Sequence, residues 1–183
     1  MGLTALRMED LPHYNYDDYA QWDGRWEIIN GIPYAMAPQP TIEHQEISGK
    51  IYRYLGNLLE NCKKCKPLLP VDWQITEDTV AQPDVLVVCG ENIKGKKLLI
   101  PPVLVFEVLS PSTSRKDRIL KYQLYQAAGV KYYCIVDPET KSAEVFMLKN
   151  SEYEKVEDFK EDKMTFDFGL CSVAFDFGEI FKE

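Results

Sequence analysis

Two acids stand inside apolar runs of this chain. Asp84 heads Val85-Leu-Val-Val88, and Glu107 lies in the middle of Val103-Leu-Val-Phe-Glu107-Val-Leu109. Apolar residues at consecutive positions mark a strand covered on both faces. A carboxylate in such a strand loses several kcal/mol of hydration unless a cation or hydrogen-bond donors replace the water. If the two strands are neighbours, the carboxylates converge at the sheet edge. They then repel one another unless a divalent cation neutralises them. A few oxygen ligands suit Mg2+ or Mn2+. Lys121, on the helix expected after the second strand, could aim its ammonium at the strand ends, with Tyr125 one turn further along the same line. Spacing alone leaves an Asp117–Lys121 surface pair, worth about 0.3–0.5 kcal/mol, equally open.

The elements that must position these groups follow from pattern. Arg25-Trp-Glu-Ile-Ile29 and Ile32-Pro-Tyr-Ala-Met36 flank Asn30-Gly31, the strongest short signal for a β-hairpin. Glu27 on it reads equally as a further site carboxylate or as an acid on a solvent-facing strand. Ile47, Ile51, Tyr54, Leu55, Leu58 and Leu59 recur at helical spacing, so Thr41 to about Leu59 is expected to be an amphipathic helix capped by Thr41. His44 sits on the edge of its inward face, where a hydrogen-bonded core histidine is the more ordinary reading than a ligand or proton-transfer group. A short helix is expected around Met8 to Leu11.

Strands are expected over Val71 to Thr76, Gln82 to Val88, 103–109 and 131–137. A helix starting at Ser114 and ending at Gly129, with Leu120, Leu124, Ala127 and Ala128 inward, would join the last two as a βαβ unit, making them parallel. Ala143 to Leu148, Tyr153 to Phe159 and a last segment through Phe181 read as antiparallel additions. The fold class is α/β with a mixed sheet. Cys62-Lys-Lys-Cys65 has the spacing of half a zinc site or of a redox pair, but no second pair of suitable spacing accompanies it, so plain loop cysteines are expected, with no disulfide framework.

At 183 residues the chain is expected to form one domain, with 1–24 as an N-terminal arm, 25–137 as hairpin and core, and 138–183 as C-terminal strands. Its 45% hydrophobic and 12% aromatic content excludes disorder. No apolar run approaches the length of a membrane span, and the start lacks the layout of a signal peptide, so a cytoplasmic location is expected. The net charge of −8 tells against non-specific coating of nucleic acid. Positive charge is nonetheless concentrated between Lys94 and Lys121. Arg115, Lys116 and Arg118 there could neutralise a phosphate backbone; the alternative is a solvated loop.

Gln82-Pro-Asp-Val-Leu-Val-Val88, Val105-Phe-Glu-Val-Leu-Ser-Pro-Ser-Thr113, Asp117-Arg-Ile-Leu-Lys-Tyr-Gln-Leu-Tyr125 and Ala128-Gly-Val-Lys-Tyr-Tyr-Cys-Ile-Val-Asp-Pro138 together resemble the uncharacterised putative restriction endonuclease family of the PD-(D/E)xK nuclease superfamily. The similarity extends to Trp26-Glu27-Ile-Ile-Asn-Gly31 and His44. It implies a restriction-endonuclease-like core, a catalytic divalent metal and phosphodiester hydrolysis, with Asp84 and Glu107 as the metal-binding acids. The superfamily's Glu-x-Lys is not kept, because Leu109 stands two residues after Glu107; in this branch a lysine on the following helix is thought to substitute, and Lys121 matches it.

The expected activity is Mg2+-dependent endonucleolytic cleavage of DNA. Asp84, Glu107 and the carbonyl of Val108 would hold the metal, Lys121 would orient water or stabilise charge, and Glu27, His44 and Tyr125 would assist. A homodimer is expected, since cutting both strands of a duplex needs two sites. The competing expectation is a catalytically inactive nuclease-fold module that binds metal, nucleic acid or protein.

Overall fold

Residues 11–36, 40–91, 93–110 and 116–182 are described by a computed structural model, without the side chains of residues 116–118. The helix expected around Met8 to Leu11 falls almost wholly outside them. Helix α1 (Tyr16–Tyr19) follows instead, started by a capping box in which Asn15 and Asp18 each accept from the other's backbone N–H. Strands β1 (Trp26–Ile29) and β2 (Ile32–Ala35) form the expected hairpin. Asn30 and Gly31 take φ of 51° and 74°, as a two-residue turn of this kind requires. Helix α2 (Ile42–Leu58) is capped by Thr41, whose hydroxyl accepts from the His44 N–H at 3.1 Å.

The next strands are β3 (Cys65–Leu68), β4 (Trp73–Thr76), β5 (Thr79–Ala81), β6 (Val85–Cys89) and β7 (Leu104–Val108). A π-helical turn (Lys116–Lys121) then leads directly into α3 (Tyr122–Ala127). Gly129, at φ 81°, ends α3: its N–H reaches Gln126 O at 3.2 Å and the Val130 N–H reaches Tyr125 O at 3.0 Å, the paired bonds of a Schellman cap. Strands β8 (Tyr132–Asp137), β9 (Ser142–Lys149), β10 (Glu152–Phe159), β11 (Lys163–Asp167) and β12 (Ser172–Asp176) and helix α4 (Gly178–Phe181) complete the chain. The segment expected through Phe181 is therefore a hairpin and a short helix.

The main sheet has the order β10-β9-β8-β7-β6-β3, and a smaller sheet the order β2-β1-β5-β4. β7 and β8 are parallel, as the βαβ reading requires, and the other neighbours in the main sheet are antiparallel. One face of the main sheet packs Val85, Val87, Leu104, Phe106 and Val108 against α2 and a phenylalanine cluster from the C-terminal hairpin. The other packs Leu86, Val88 and Val105 against Tyr125 of α3 and Trp73 of the small sheet. Glu107 lies between Phe106 and Val108, so strand alternation turns it towards the second face, where α3 and the small sheet meet. Leu109 packs on that face too.

Two expectations are corrected. The buried stripe of the crossover helix is Lys121 and Tyr125, with Tyr122, Leu124 and Ala128 beside them, whereas Ala127 is exposed. The face that meets the sheet is polar because a carboxylate waits for it there. The four cysteines taken as unlinked are paired, Cys62 with Cys171 and Cys65 with Cys89, across 109 and 24 residues. Contacts across such separations exist only once the sheet has brought the partners together, so the local Cys62-x-x-Cys65 spacing could not show them.

Candidate functional site

The antiparallel register of β6 and β7 sets Val85 opposite Phe106, which carries Asp84, one residue before β6, to the neighbourhood of Glu107. Glu107 is 2% exposed. Its Oε1 accepts from Lys121 Nζ at 2.8 Å and from the Tyr125 hydroxyl at 2.6 Å. Lys121 is 3% exposed and reaches a second carboxylate, with Nζ 3.2 Å from Oε1 of the fully buried Glu27. That same Glu27 oxygen accepts from the Gln82 backbone N–H at 2.8 Å. The ammonium thus bridges two acids delivered by different sheets.

A regular α-helix places residues four apart on one face, which is how Lys121 and Tyr125 descend together onto Glu107. The π turn ends at this lysine. Such wider turns shift the phase of a helix by part of a turn and are frequent at functional sites. Tyr125 is fully buried, and its ring contacts Trp73 and Tyr133 at 5.7 and 5.2 Å between centroids. Burial, then the negative charge of Glu107, hold its hydroxyl well above the ordinary tyrosine range, so it stays a donor. Tyr125→Phe keeps the ring and removes one hydrogen bond to a charged acceptor, an expected loss of about 1.5–3 kcal/mol in urea denaturation. A loss below about 0.5 kcal/mol would mean that the bond is not formed in solution.

Beside this cluster, Asp84 Oδ2 accepts from His44 Nε2 at 3.1 Å and from the Val108 N–H at 2.9 Å, with both side chains 14% exposed. Its Oδ1 accepts no hydrogen bond among the described residues. Burial pushes the Asp84 carboxyl up, but the His44 hydrogen bond and charge, the Lys121 charge and the Val108 N–H outweigh it, so its pKa lies below the ordinary aspartate value. A carboxyl depressed in the folded state stabilises the fold above its unfolded pKa, about 3.9, and that contribution is lost as pH falls through the lower folded value. In EDTA, Asp84→Asn is expected to flatten the decline of stability below about pH 4. An acid limb unchanged from wild type would show that Asp84 is not depressed.

Of the residues singled out from the sequence, Glu27, Glu107, Lys121 and Tyr125 form one hydrogen-bonded cluster, and His44, Asp84 and the backbone of Val108 form another next to it. Glu27 is buried rather than solvent-facing. Arg115 lies outside the described residues, as do the side chains of Lys116 and Arg118. Gln82 escaped notice. Its N–H holds Glu27, and its side chain donates to Asp72 Oδ1 at 2.7 Å and to the Tyr19 hydroxyl at 3.0 Å, fixing the link between β5 and β6. Its position before Pro83 was the available signal, since a residue preceding proline is held extended.

Could these side chains hold a metal? Asp84, Glu107 and Glu27 supply hard oxygen donors, the set that suits Mg2+ or Mn2+. Three carboxylates face one ammonium and one histidine, so the local balance has room for positive charge. Their ligand atoms do not, however, form a group of three within 4.8 Å; among the described residues such a group is formed by Cys62, Cys65 and Cys171.

The chain can now be set beside known proteins. Residues 15–166 match the model of the family described as "Putative restriction endonuclease". An uncharacterised protein of Synechocystis is 32% identical over 122 residues, 63% of this chain and 63% of that protein. A crystal structure of a putative nuclease from Anabaena variabilis superposes with a TM-score of 0.73 at 18% identity, covering 92% of this chain and 97% of that one. At that identity the match establishes a shared fold. With the family match spanning most of its length, the chain belongs to the Uma2 family of restriction-endonuclease-like proteins.

Proposed function

We propose that this protein is a metal-dependent endonuclease that hydrolyses phosphodiester bonds of DNA. The supporting observation is the buried Glu27–Lys121–Glu107–Tyr125 cluster set beside Asp84 and His44. Burying one ammonium and three acids so close together is costly for a purely structural purpose, since apolar residues of similar volume serve stability at least as well. Asp84, Glu107 and the carbonyl of Val108 would hold Mg2+ or Mn2+, which would polarise the scissile phosphate and acidify a bound water. His44 keeps Asp84 oriented and ionised. Lys121, held between its two acids, is poised to offset charge developing on the phosphoryl oxygens. Lys takes the place of the missing strand lysine because only its ammonium must arrive, on a flexible four-carbon stem. Arg115, Lys116 and Arg118 would contact the phosphate backbone, and a cytoplasmic homodimer would present two sites to a duplex.

Incubation of pure protein with plasmid and single-stranded DNA in Mg2+ or Mn2+ tests this, with Asp84→Asn and Lys121→Met alongside. Cleavage by the wild type that both substitutions abolish supports the reading; cleavage that survives in both overturns it.

Two observations favour a second reading. Leu109 occupies the expected lysine position, and Lys121 Nζ is already held by two carboxylates at 2.8 and 3.2 Å. The chain would then be a nuclease-fold module that binds metal without turnover. No cleavage, with a Mg2+-dependent rise in melting temperature that Asp84→Asn removes, would favour it.

A further inference from the structure

Three of the four paired cysteines form one cluster, and the fourth, Cys89, is bonded to it. Cys62 follows α2 in a turn closed by the Cys65 N–H donating to Cys62 O at 3.0 Å. Cys65 opens β3, directly opposite Cys89 at the end of β6. Cys171 arrives from the turn between β11 and β12, where the Phe168 N–H donates to Cys171 O at 2.9 Å. The sulfurs of Cys62, Cys65 and Cys171 all lie within 4.8 Å of one another, and Cys89 joins them through its bond to Cys65. Two independent disulfides would not require the Cys65 sulfur to lie within 4.8 Å of both sulfurs of the Cys62–Cys171 pair.

We propose that in its reduced state the chain binds one zinc ion through Cys62, Cys65, Cys89 and Cys171. Four thiolates are a closed structural set for Zn2+, and Cys-x2-Cys in a tight turn is a usual half of such a site. Zinc–sulfur bonds of ~2.3 Å in a tetrahedron put the sulfurs about 3.8 Å apart, so each bonded pair opens on reduction, while the sulfurs of Cys62, Cys65 and Cys171 already lie within 4.8 Å of one another. Lys63 and Lys64 within the turn, and Lys66 just after it, bring positive charge to the double negative charge of a zinc tetrathiolate, in a chain whose net charge is −8. The protonation and redox steps balance. Each disulfide takes two electrons and two protons from a thiol reductant, which is itself oxidised to a disulfide. Zn2+ then displaces the four thiol protons.

The ion would fasten four parts of the fold: the end of α2, the edge strand β3, the end of β6 and the C-terminal hairpin. That hairpin carries Phe166 and Phe175, fully buried against Phe106. The free cysteine, Cys134, is buried in β8 and stands apart from the set. The inference is independent of the nuclease reading, because none of the four cysteines belongs to the Asp84–Glu107 site.

The test uses the full chain purified under a phosphine reductant. Zinc is measured by elemental mass spectrometry after gel filtration, and thiols are counted in guanidinium once metal and reductant have been removed. The expected result is one zinc per chain and reaction of all five cysteines. Cys89→Ser and Cys171→Ser should each lose the zinc, while Cys134→Ser keeps it. Co2+ in place of zinc should give the visible absorption of a tetrahedral tetrathiolate. One reactive thiol and no metal would overturn the proposal in favour of two permanent disulfides. Five thiols with no uptake from added Zn2+ would overturn it as well, and both results come from the wild-type chain, so they stand even if a variant fails to fold.

Discussion

Lys121→Met is expected to lower the free energy of unfolding by about 3–5 kcal/mol, a fifth or more of what a domain of this kind ordinarily has. The substitution nearly preserves side-chain volume and removes the charge. Glu27 and Glu107, buried at 0% and 2% exposure, would then face each other without their shared cation. The combined change Glu27→Gln, Glu107→Gln and Lys121→Met should recover much of the loss, because removing a buried ionic group as a whole is far less costly than removing one member. Urea denaturation of the single and triple variants measures both. A single-variant loss under about 1 kcal/mol, the scale of an exposed ion pair, would show that the cluster is solvated. Cleavage should fall by about a hundred- to a thousandfold in protein that is still folded at the assay temperature, the usual effect of deleting one charge-stabilising donor.

Asp84→Asn is expected to abolish cleavage while leaving the fold standing. A metal at such a site contributes several kcal/mol to the transition state, and ~4 kcal/mol is about a thousandfold in rate. The amide can still accept the Val108 N–H and hydrogen-bond to His44, so local structure should survive. The diagnostic is a pair of measurements on one sample: the melting temperature without metal, expected below that of wild type by the lost Asp84 charge interactions but still a single transition, and its rise with Mg2+, expected to vanish. A variant that cuts at the wild-type rate would remove Asp84 from the site.

Much of this arrangement was legible in the sequence because it follows from periodicity and exclusion. Continuous apolar runs identified β6, β7 and β8, Asn30-Gly31 identified the hairpin, and an acid in an apolar strand identified Glu107. What escaped has physical reasons. β3 is four residues long and includes Pro67, which only an edge position tolerates, so it carried no strand signature. β5 has only three residues. The inward face of α3 centres one residue later than its apolar pattern suggests, on Lys121 and Tyr125 rather than Leu120 and Leu124, because the carboxylate that draws these two inward lies on another strand. Glu27 could not be settled for the same reason: its burial depends on the small sheet meeting α3, a contact with no local code. The cysteine pairings likewise belong to tertiary structure.

Glu27 reaches Lys121 from the small sheet, whereas Glu107 reaches it from the main one. The order in which the parts assemble is therefore constrained. Were the two sheets to dock before the turn at Lys116–Lys121 closed, two ionised carboxylates would be buried together with no cation between them, a state disfavoured by several kcal/mol. Half-assembled forms of that kind should be scarcely populated. The residues that make up the site thus also enforce cooperativity, tying closure of the helix and union of the sheets into a single all-or-none event.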